Sequence, residues 1–422
     1  MSSIQEWSDI KLKYIAKINP SKSEISIIDD TKVTFLPMEN ILSPGNVDLS
    51  LKKSLEDVYS GYTYFKENDL IVAKVTPCFE NGNIAIMQGL SNGIGFGTTE
   101  LHVIRVNEGE YNKKFFYYAL QADDFKTEAV SNMYGVGGLK RIPPEFVCNY
   151  KFKVPPIQIQ NKVVEFIEQK TKNIQHLIDD KERLITLLEE KRQSMITEAV
   201  TKGLNPNVKM KDSGVEWIGE IPEHWECLNF RRLTFLQQGL QIAQEERFYE
   251  NGENRLEYIT VKSINNPDLI REYIENASDR VICTEEDVLL ARTGATGLVV
   301  TNIKGVFHNN FFKINYDSQK ITKDFLVFYL KQKSIQSHFK LVAGTTTIPD
   351  LNHGEFLSTK CLVPPLVEQK LITDYLEVKE REHLGIVEDI RMQIEKLKEY
   401  RQSLIYEAVT GKIDVRDFEV KA

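Results

Sequence analysis

The sequence predicts an α+β protein with an internal repeat, in which two α/β domains alternate with two long helices that pack as an antiparallel coiled coil. Three observations predict this fold. Three motifs recur at one spacing of 209 positions, apolar residues follow heptads in two long segments, and strand-like segments precede each of them. The motifs are Val-Pro-Pro at 154 and 363, Arg-Gln-Ser at 192 and 401, and Glu-Ala-Val-Thr at 198 and 407. Because one spacing fits three motifs, we interpret the match as a true repeat.

The two α/β domains are expected at residues 1–153 and 213–362. They resemble each other more weakly than the helical segments do. The segment DLIVAK at 69–74 matches DVLLAR at 287–292, at a spacing of 218 positions. The two domains therefore share an order of matching segments, and their sequences have diverged between those segments.

Within these domains, β-branched and aromatic residues bounded by turn formers predict short strands. The predicted strands are Phe35–Met38, Leu70–Lys74, Ile84–Met87 and Leu101–Val106 in the first domain, and Tyr258–Val261, Val288–Ala291, Leu298–Val300 and Phe311–Ile314 in the second. Aromatic and aliphatic residues at helical spacing predict helices at 112–130 and 322–340. Both domains are thus expected to mix sheet and helix.

The two helical regions are expected at residues 154–212 and 363–422. A double proline fixes the start of each helix, because proline is tolerated in the first turn and not in the interior. Gly203 and Gly411 fit the ends. Each helix would cover about 40 residues and be about 60 Å long at ~1.5 Å per residue.

Each long helix carries one apolar stripe that must be buried against a partner. The stripe residues are Ile167, Ile174, Ile178, Ile185, Leu188, Met195 and Ala199 in the first helix, and Leu376, Val387, Ile390, Ile394, Leu397, Leu404 and Ala408 in the second. Lys181 and His383 interrupt the stripes once each. The order of the repeats favours antiparallel packing of one helix on the other about a pseudo-twofold axis, with the α/β domains at opposite ends. The alternative is that each helix packs on a different protein.

Composition excludes several classes of protein. No segment has the ~18 to 20 apolar residues of a membrane helix, and the N-terminus lacks a signal peptide, so we expect a cytoplasmic chain with no membrane contact. The five cysteines have no CxxC spacing, which argues against a metal or redox motif, and their odd number argues against a disulfide framework. The net charge of −8 does not by itself indicate nucleic-acid binding. Any contact with DNA would depend on a few placed cations.

Motifs that carry catalysis or bind cofactors are also missing. The sequence has no GxxxxGK[ST] loop, no HExxH motif and no complete GxGxxG fingerprint. The IPPEF segment at 142–146 is superficially similar to an adenine methyltransferase motif, but it has isoleucine where that motif needs an amide or a carboxylate. We therefore expect no catalytic, cofactor-binding or metal-binding residues, and no enzyme activity in this chain.

Several segments carry a resemblance to a known family. DSGVEWIGEIPEHW at 212–225 resembles the junction that opens the second recognition domain in specificity subunits of type I restriction-modification systems. PPLVEQ at 364–369 is similar to the start of their conserved helical region. DVLLARTG at 287–294 and GTTTI at 344–348 look like the loop signatures of their target recognition domains. The first domain departs from this pattern, since Pro77 stands at the loop glycine and IQIQ replaces LVEQ.

This resemblance implies a function. The regions 1–153 and 213–362 would be target recognition domains, each reading half of an asymmetric bipartite DNA target, and 154–212 and 363–422 would be conserved helical regions that hold them apart. Two methyltransferase subunits would dock on the chain for adenine N6-methylation, and restriction subunits would add cleavage. S-adenosylmethionine, ATP and Mg²⁺ would belong to those partners, and this chain would contribute sequence choice without catalysis.

The predicted DNA-binding residues are Lys74, Lys140, Arg141, Arg292, Thr293, Gly294, Thr296, Thr345, Thr346 and Thr347. Lys74 and Arg292 follow a buried strand at matching positions, where an arginine can pair with guanine and a lysine can reach base acceptors or phosphate. The remaining residues lie in or beside glycine-rich loops, where backbone can approach DNA closely. The alternative interpretation is that these are ordinary surface cations and tight turns.

Other functions remain open at this point. The chain could be a coiled-coil scaffold with two heads that bind proteins, or the specificity subunit of a related restriction enzyme outside type I. A hidden enzyme would need a catalytic set of residues that the sequence does not reveal.

Overall fold

The computed structural model describes residues 7–25, 31–42, 45–136, 138–344 and 349–419. The chain forms two compact units. Unit 1 comprises Met1–Lys181 and Met392–Ala422, and unit 2 comprises Glu182–Arg391. Each unit contains one α/β head together with segments of both long helices. We call residues 7–154 the first head and residues 210–363 the second head.

The first head is a mixture of short strands and helices. Its strands are β1 (Ser8–Lys11), β2 (Ala16–Ile18), β3 (Lys32–Leu36), β4 (Ile41–Leu42), β5 (Asn46–Val47), β6 (Lys52–Ser54), β7 (Thr63–Lys66), β8 (Leu70–Ala73), β9 (Ile84–Ile86), β10 (Ile94–Gly97), β11 (Leu101–Val106) and β12 (Lys151–Val154). Its helices are α1 (Leu12–Ile15), α2 (Leu55–Tyr59), α3 (Lys113–Ala119), α4 (Asp123–Ser131) and α5 (Pro144–Asn149). The long helix α6 (Ile157–Lys202) follows.

The second head repeats this composition. Its strands are β13 (Met210–Asp212), β14 (Glu220–Pro222), β15 (Glu226–Asn229), β16 (Thr234–Gln238), β17 (Arg255–Ile259), β18 (Tyr273–Glu275), β19 (Ile282–Cys283), β20 (Val288–Ala291), β21 (Val299–Val300), β22 (Gly305–Phe307), β23 (Phe311–Tyr316) and β24 (Lys360–Val363). Its helices are α7 (Val261–Asn265), α8 (Lys323–Lys331), α9 (Lys333–Val342) and α10 (His353–Ser358), and the second long helix is α11 (Leu366–Val409).

The two heads have the same sheet topology. The first head contains sheets of order β2-β11-β8-β9 and β6-β3-β10-β7, and the second contains β16-β23-β20-β21 and β18-β17-β22-β19. In each head one pair is parallel, β3 with β10 and β17 with β22, and the other pairs of these sheets are antiparallel. A two-stranded ribbon, β1-β12 or β15-β24, joins the start of each head to its end. The predicted internal repeat therefore extends through both heads.

Most predicted strands are observed, and two are displaced along the chain. The strand predicted at 35–38 is β3 and stops before Pro37, which has no N–H group to donate to a neighbouring strand. The strand predicted at 258–261 is β17 and stops before Thr260, because Thr260 caps helix α7 through a reciprocal bond with Ser263.

Each predicted head helix is two helices. The segment 112–130 is divided between α3 and α4, because Ala122 is extended and Asp123 starts a new helix with an acidic first turn. The segment 322–340 is divided between α8 and α9 at Gln332, which is also extended. These breaks let both members of each pair bury phenylalanine side chains in the core of their unit.

The long helices begin directly after the double prolines and are 46 and 44 residues long. Each ends before a glycine with positive φ, Gly203 at 76° and Gly411 at 75°. A Cβ atom at Gly203 would lie 3.2 Å from Cζ2 of Trp225, and one at Gly411 would lie 3.1 Å from Cε2 of Trp7. The glycines therefore permit both the turn and the close tryptophan contact.

The predicted antiparallel packing of the helices is confirmed within each unit. In unit 1, Arg401 donates to Gln175 at 2.9 Å and Lys181 donates to Gln393 at 2.6 Å. In unit 2, Nε2 of His383 lies 3.3 Å from Oε2 of Glu189, and Nη1 of Arg192 donates to Oε1 of Glu380 at 2.7 Å. Position numbers rise along α6 as they fall along α11. The two polar residues of the stripe, Lys181 and His383, thus meet polar partners on the opposite helix.

The stripe residues themselves are buried or half-buried. Ile167 and Ile174 on α6 and Leu376 and Leu404 on α11 are each at most 5% exposed. In each unit, one main hydrophobic core contains residues of a head and of both long helices. In unit 1, Val163 of α6 and Ala408 of α11 belong to the same core as the first head. Residues of α6 and α11 line the core of unit 2 in the same way.

In the described part of the chain, no helix is both long enough and apolar enough to cross a membrane.

Candidate nucleic-acid interface

The two strand-end cations, Lys74 and Arg292, occupy the same place in the two heads. Lys74 follows β8, whose last residue, Ala73, pairs with Leu101, and Arg292 follows β20, whose last residue, Ala291, pairs with Phe311. The backbone N–H of Lys74 donates to the carbonyl of Glu100 at 2.9 Å, and that of Arg292 donates to the carbonyl of Asn310 at 2.7 Å. The backbone of Lys74 in the first head and that of Arg292 in the second therefore make the same contacts, as predicted.

A second segment of each head lies beside the strand end. The N–H of Ile142 donates to the carbonyl of Lys74 at 2.9 Å, and the N–H of Leu351 donates to the carbonyl of Arg292 at 3.0 Å. The residues just before them, Arg141 and Asp350, are therefore equivalent.

These contacts define three equivalent positions. We call them the strand-end position (Lys74 and Arg292), the partner-strand position (Glu100 and Asn310) and the loop position (Arg141 and Asp350).

In the first head the structure brings three of the predicted residues together. Oγ1 of Thr76 donates to the carbonyl of Gly138 at 2.6 Å and accepts from the N–H of Lys140 at 3.0 Å, so the glycine-rich loop is fixed beside Lys74. The Lys140 residue is exposed and Lys74 is half-buried. Arg141 is engaged with a carboxylate, as described next.

Arg141 uses one edge of its guanidinium to bind Glu100. Its Nε lies 2.9 Å from Oε2 and its Nη2 lies 2.8 Å from Oε1 of the carboxylate. The side chains are 38% and 26% exposed, so the pair lies at the surface. The hydrogen bond from Arg141 lowers the pKa of Glu100, because it stabilises the ionised carboxylate.

In the second head the arginine occupies the strand-end position and the carboxylate the loop position. Nε of Arg292 lies 2.9 Å from Oδ1 of Asp350, and its Nη2 lies 2.6 Å from Oδ2. The guanidinium also lies over the ring of Phe312, 5.8 Å from its centroid. Burial and the positive charge of Arg292 lower the pKa of His353, whose ring packs on Phe312, so this histidine is neutral at pH 7.

The loop after Arg292 holds the remaining predicted residues of this head that the structure describes. Oγ1 of Thr296 lies 3.1 Å from the carbonyl oxygens of Arg292 and Pro349, so its hydroxyl joins the two loops. In this structure the Thr296 hydroxyl donates within the protein, and its contact with DNA stays a prediction. Thr293 is half-buried, and Gly294 is exposed with a φ of 80°.

The other predicted loop residues, Thr345, Thr346 and Thr347, lie outside the described residues. The segment that contains them joins Gly344 to Pro349. Pro349 borders an open surface groove of about 600 Å³, whose lining includes Thr296, Gln336 and Lys340. Thr296, just after the first loop signature, therefore contacts Pro349, which directly follows the second signature.

Sequence reasoning missed both carboxylates, Glu100 and Asp350. The signal for Asp350 was present, because it lies 209 positions after Arg141, which is the spacing of the repeat. The exchange of an arginine for an aspartate at this spacing marks a position where the two heads differ in charge.

In the described residues, no group of three or more histidine, cysteine or acidic side chains could hold a metal ion. The site offers hydrogen-bond donors of lysine and arginine side chains at the ends of strands β8 and β20.

Comparison with protein families identifies both halves of the chain. The model of the type I restriction modification DNA specificity domain matches residues 4–185 and 223–396. The first match covers the first head and most of α6, and the second covers the second head from residue 223 onward and most of α11.

Individual relatives agree with this result. The chain is 35% identical to the specificity subunit of the type I restriction enzyme EcoAI from Escherichia coli over 225 residues, which are 53% of this chain and 36% of that subunit. It is 39% identical to the EcoEI subunit from the same species over 161 residues, 37% of this chain and 26% of the relative. The chain thus matches about a third or less of these two proteins. A Methanocaldococcus jannaschii subunit, MjaVIII, is 23% identical over 66% of both chains.

Solved structures show the same fold. A chain from a type I restriction-modification system, studied for complex assembly and conformational transition, aligns with a TM-score of 0.71 at 15% identity and covers 98% of this chain and 100% of its own. The HsdS subunit from Thermoanaerobacter tengcongensis aligns with a TM-score of 0.55 at 17% identity, over 97% of this chain and 98% of that one. The two family matches together cover most of the sequence, and the chain belongs to the family of type I restriction-modification DNA specificity subunits.

Proposed function

We propose that this chain reads an asymmetric, bipartite target in double-stranded DNA, with one half-site read by each head. The observation that carries the proposal is that the two heads share one backbone frame and fill its equivalent positions differently. Lys74 corresponds to Arg292, and Arg141 corresponds to Asp350. Two readers with the same fold and different side chains suit a target with two different halves.

The chain would choose the sequence, and partner subunits would carry out the chemistry. We infer that two methyltransferase subunits dock on it to methylate adenine at N6, and that restriction subunits join them for cleavage. S-adenosylmethionine, ATP and Mg²⁺ would bind to those partners. The absence of catalytic motifs from the sequence supports a non-catalytic role for this chain, which would act in the cytoplasm where the chromosome is accessible.

An apolar face on α11 supports the docking of partners. Val367, Leu371, Tyr375 and Val378 are 76%, 58%, 37% and 44% exposed, and their spacing of three or four residues places them on one side of the helix. An apolar stripe of this kind is typical of a protein–protein interface.

The test is a genome-wide map of N6-methyladenine in cells that carry the gene, in cells that lack it and in cells with the gene restored. We expect one two-part motif with different halves to disappear and return with the gene. Purification of the tagged chain would show which subunits accompany it. An unchanged methylation map with no methyltransferase among the copurifying proteins would overturn the proposal and favour a scaffold. A copurifying enzyme that cuts beside its site would identify a related system.

A further inference from the structure

Each head holds one arginine whose guanidinium is fixed by a carboxylate on a single edge. Arg141 binds Glu100 and Arg292 binds Asp350, in both cases through Nε and Nη2. Among the described residues, Nη1 of neither arginine has a hydrogen-bond partner. The two arginines therefore make the same set of hydrogen bonds, although Arg141 is at the loop position and Arg292 at the strand-end position.

A guanidinium has two edges that can each donate two parallel hydrogen bonds. The carboxylate takes the edge formed by Nε and Nη2. The outer edge, formed by Nη1 and the second proton of Nη2, remains available. Because the guanidinium is planar, the carboxylate also fixes the direction in which this outer edge points.

The ion pair changes which DNA group the arginine suits. A phosphate is bound largely through charge, and a neighbouring carboxylate cancels most of that charge. The directional N–H groups of the outer edge are unaffected, and they match the O6 and N7 acceptors of guanine in the major groove. A carboxylate-bound arginine is therefore a weak phosphate anchor and a well-oriented base reader.

We propose that Arg141 and Arg292 are the guanine-reading residues of the first and second heads, and that Glu100 and Asp350 are the positioning residues that orient them. The inference rests on the proposed function and deepens it. Arg141 is at the loop position and Arg292 at the strand-end position, so the guanine would lie at a different place within each half-site.

Lys74 has a different role in this scheme. It occupies the strand-end position of the first head, where the second head has its reading arginine. A lysine ammonium is a point charge without the paired, planar N–H donors of arginine. Lys74 would therefore contact a base acceptor or phosphate and would not reproduce the contact of Arg292.

The experiment uses the full chain purified with its copurifying subunits, and duplexes that carry the motif found by methylation mapping. Each duplex has one base pair replaced. Arg292→Lys and Arg141→Lys keep the positive charge and remove the paired N–H donors of the guanidinium. We expect each variant to lose roughly 5- to 150-fold of its discrimination at one guanine position, in its own half-site only.

The positioning residues need a separate readout. Asp350→Asn has nearly the same shape, and we expect it to reduce discrimination at the base pair that Arg292→Lys affects. Asp350→Glu should restore part of it. Lys140→Ala is the matched control. If this exposed lysine contacts phosphate, its removal should weaken binding to all duplexes equally. It should also reduce the slope of log affinity against log salt concentration by about one. Thermal unfolding of each variant checks the fold.

The outcomes separate the inference from the function on which it rests. If the unmodified chain directs no motif, the proposed function fails. If the motif is present and both lysine variants keep full discrimination, the assignment of the readers is overturned. If Asp350→Asn binds all duplexes more tightly with a steeper salt dependence, the carboxylate is a competitor of DNA, and its positioning role is overturned.

Discussion

The strongest test of the energetic differences between the two heads is the removal of one aspartate from each. Asp69 precedes β8 and Asp287 precedes β20, at equivalent places. Asp69 is fully buried, binds Nε and Nη2 of Arg105 at 2.7 Å each, and accepts the N–H of Lys66 at 2.8 Å. Asp287 has a side chain 24% exposed and lies 3.7 Å from Lys313.

The expected costs follow from these contacts. Asp69→Ala leaves Arg105, whose side chain is 15% exposed, with Glu24 as its remaining ion-pair partner. Breaking such a pair should cost about 3 kcal/mol, near the lower end for a buried pair because Glu24 stays. Asp287→Ala removes a longer contact and two hydrogen bonds that the carboxylate accepts from Thr284, from its N–H at 2.8 Å and from its hydroxyl at 3.1 Å. Its cost should be about 1 kcal/mol.

Hydrogen exchange followed by mass spectrometry measures both effects in the intact chain. For Asp69→Ala, we expect exchange in Leu101–Val106 to rise roughly 100-fold, since 1.4 kcal/mol corresponds to a factor of ten. For Asp287→Ala, exchange in Phe311–Tyr316 should rise roughly fivefold. Equal effects in the two heads, or a larger effect in the second, would refute the reasoning from burial and pairing.

Three further predictions concern a glycine in α11, an ion pair within α6 and two buried cysteines. Gly385→Ala lies within α11 with no atom within 4 Å of the new Cβ, so it should stabilise the chain by about 0.5–1 kcal/mol in urea unfolding. Hydrogen bonds from Arg192 lower the pKa of Glu189 to about 2, and this stabilisation is present above pH 4.5 and lost as pH falls toward 2. Glu189→Gln should therefore reduce stability at pH 7 by less than about 1 kcal/mol, because the side chain is half-exposed, and the difference should shrink at pH 3. Burial raises the pKa of Cys283 to about 11 and that of Cys361 well above its usual value, so iodoacetamide should label both at pH 7 only after unfolding, as seen by mass spectrometry.

The long helices and the strand-end cations could be predicted from the sequence because both are local patterns that occur twice. A heptad stripe and a double proline define where α6 and α11 begin, and the match of 69–74 with 287–292 defines Lys74 and Arg292. These features need no knowledge of distant contacts.

The partners of the arginines could not be predicted in the same way. Arg292 meets Asp350 from 58 positions away, and Arg141 meets Glu100 from 41 positions away. Such pairs depend on how the sheet and the following loop come together, which a single sequence does not encode locally. The break at Gln332 was missed for a related reason, because the segment 322–340 keeps its helical pattern of apolar residues through a turn that tertiary packing imposes.

The division of the chain into units has a consequence for its synthesis on the ribosome. Unit 2 is continuous from Glu182 to Arg391, so all of its residues are available before the chain is finished. Unit 1 needs the last part of α11, and Phe418 packs on Phe166 across more than half the sequence. The core of the first head is therefore completed last, although that head is synthesised first.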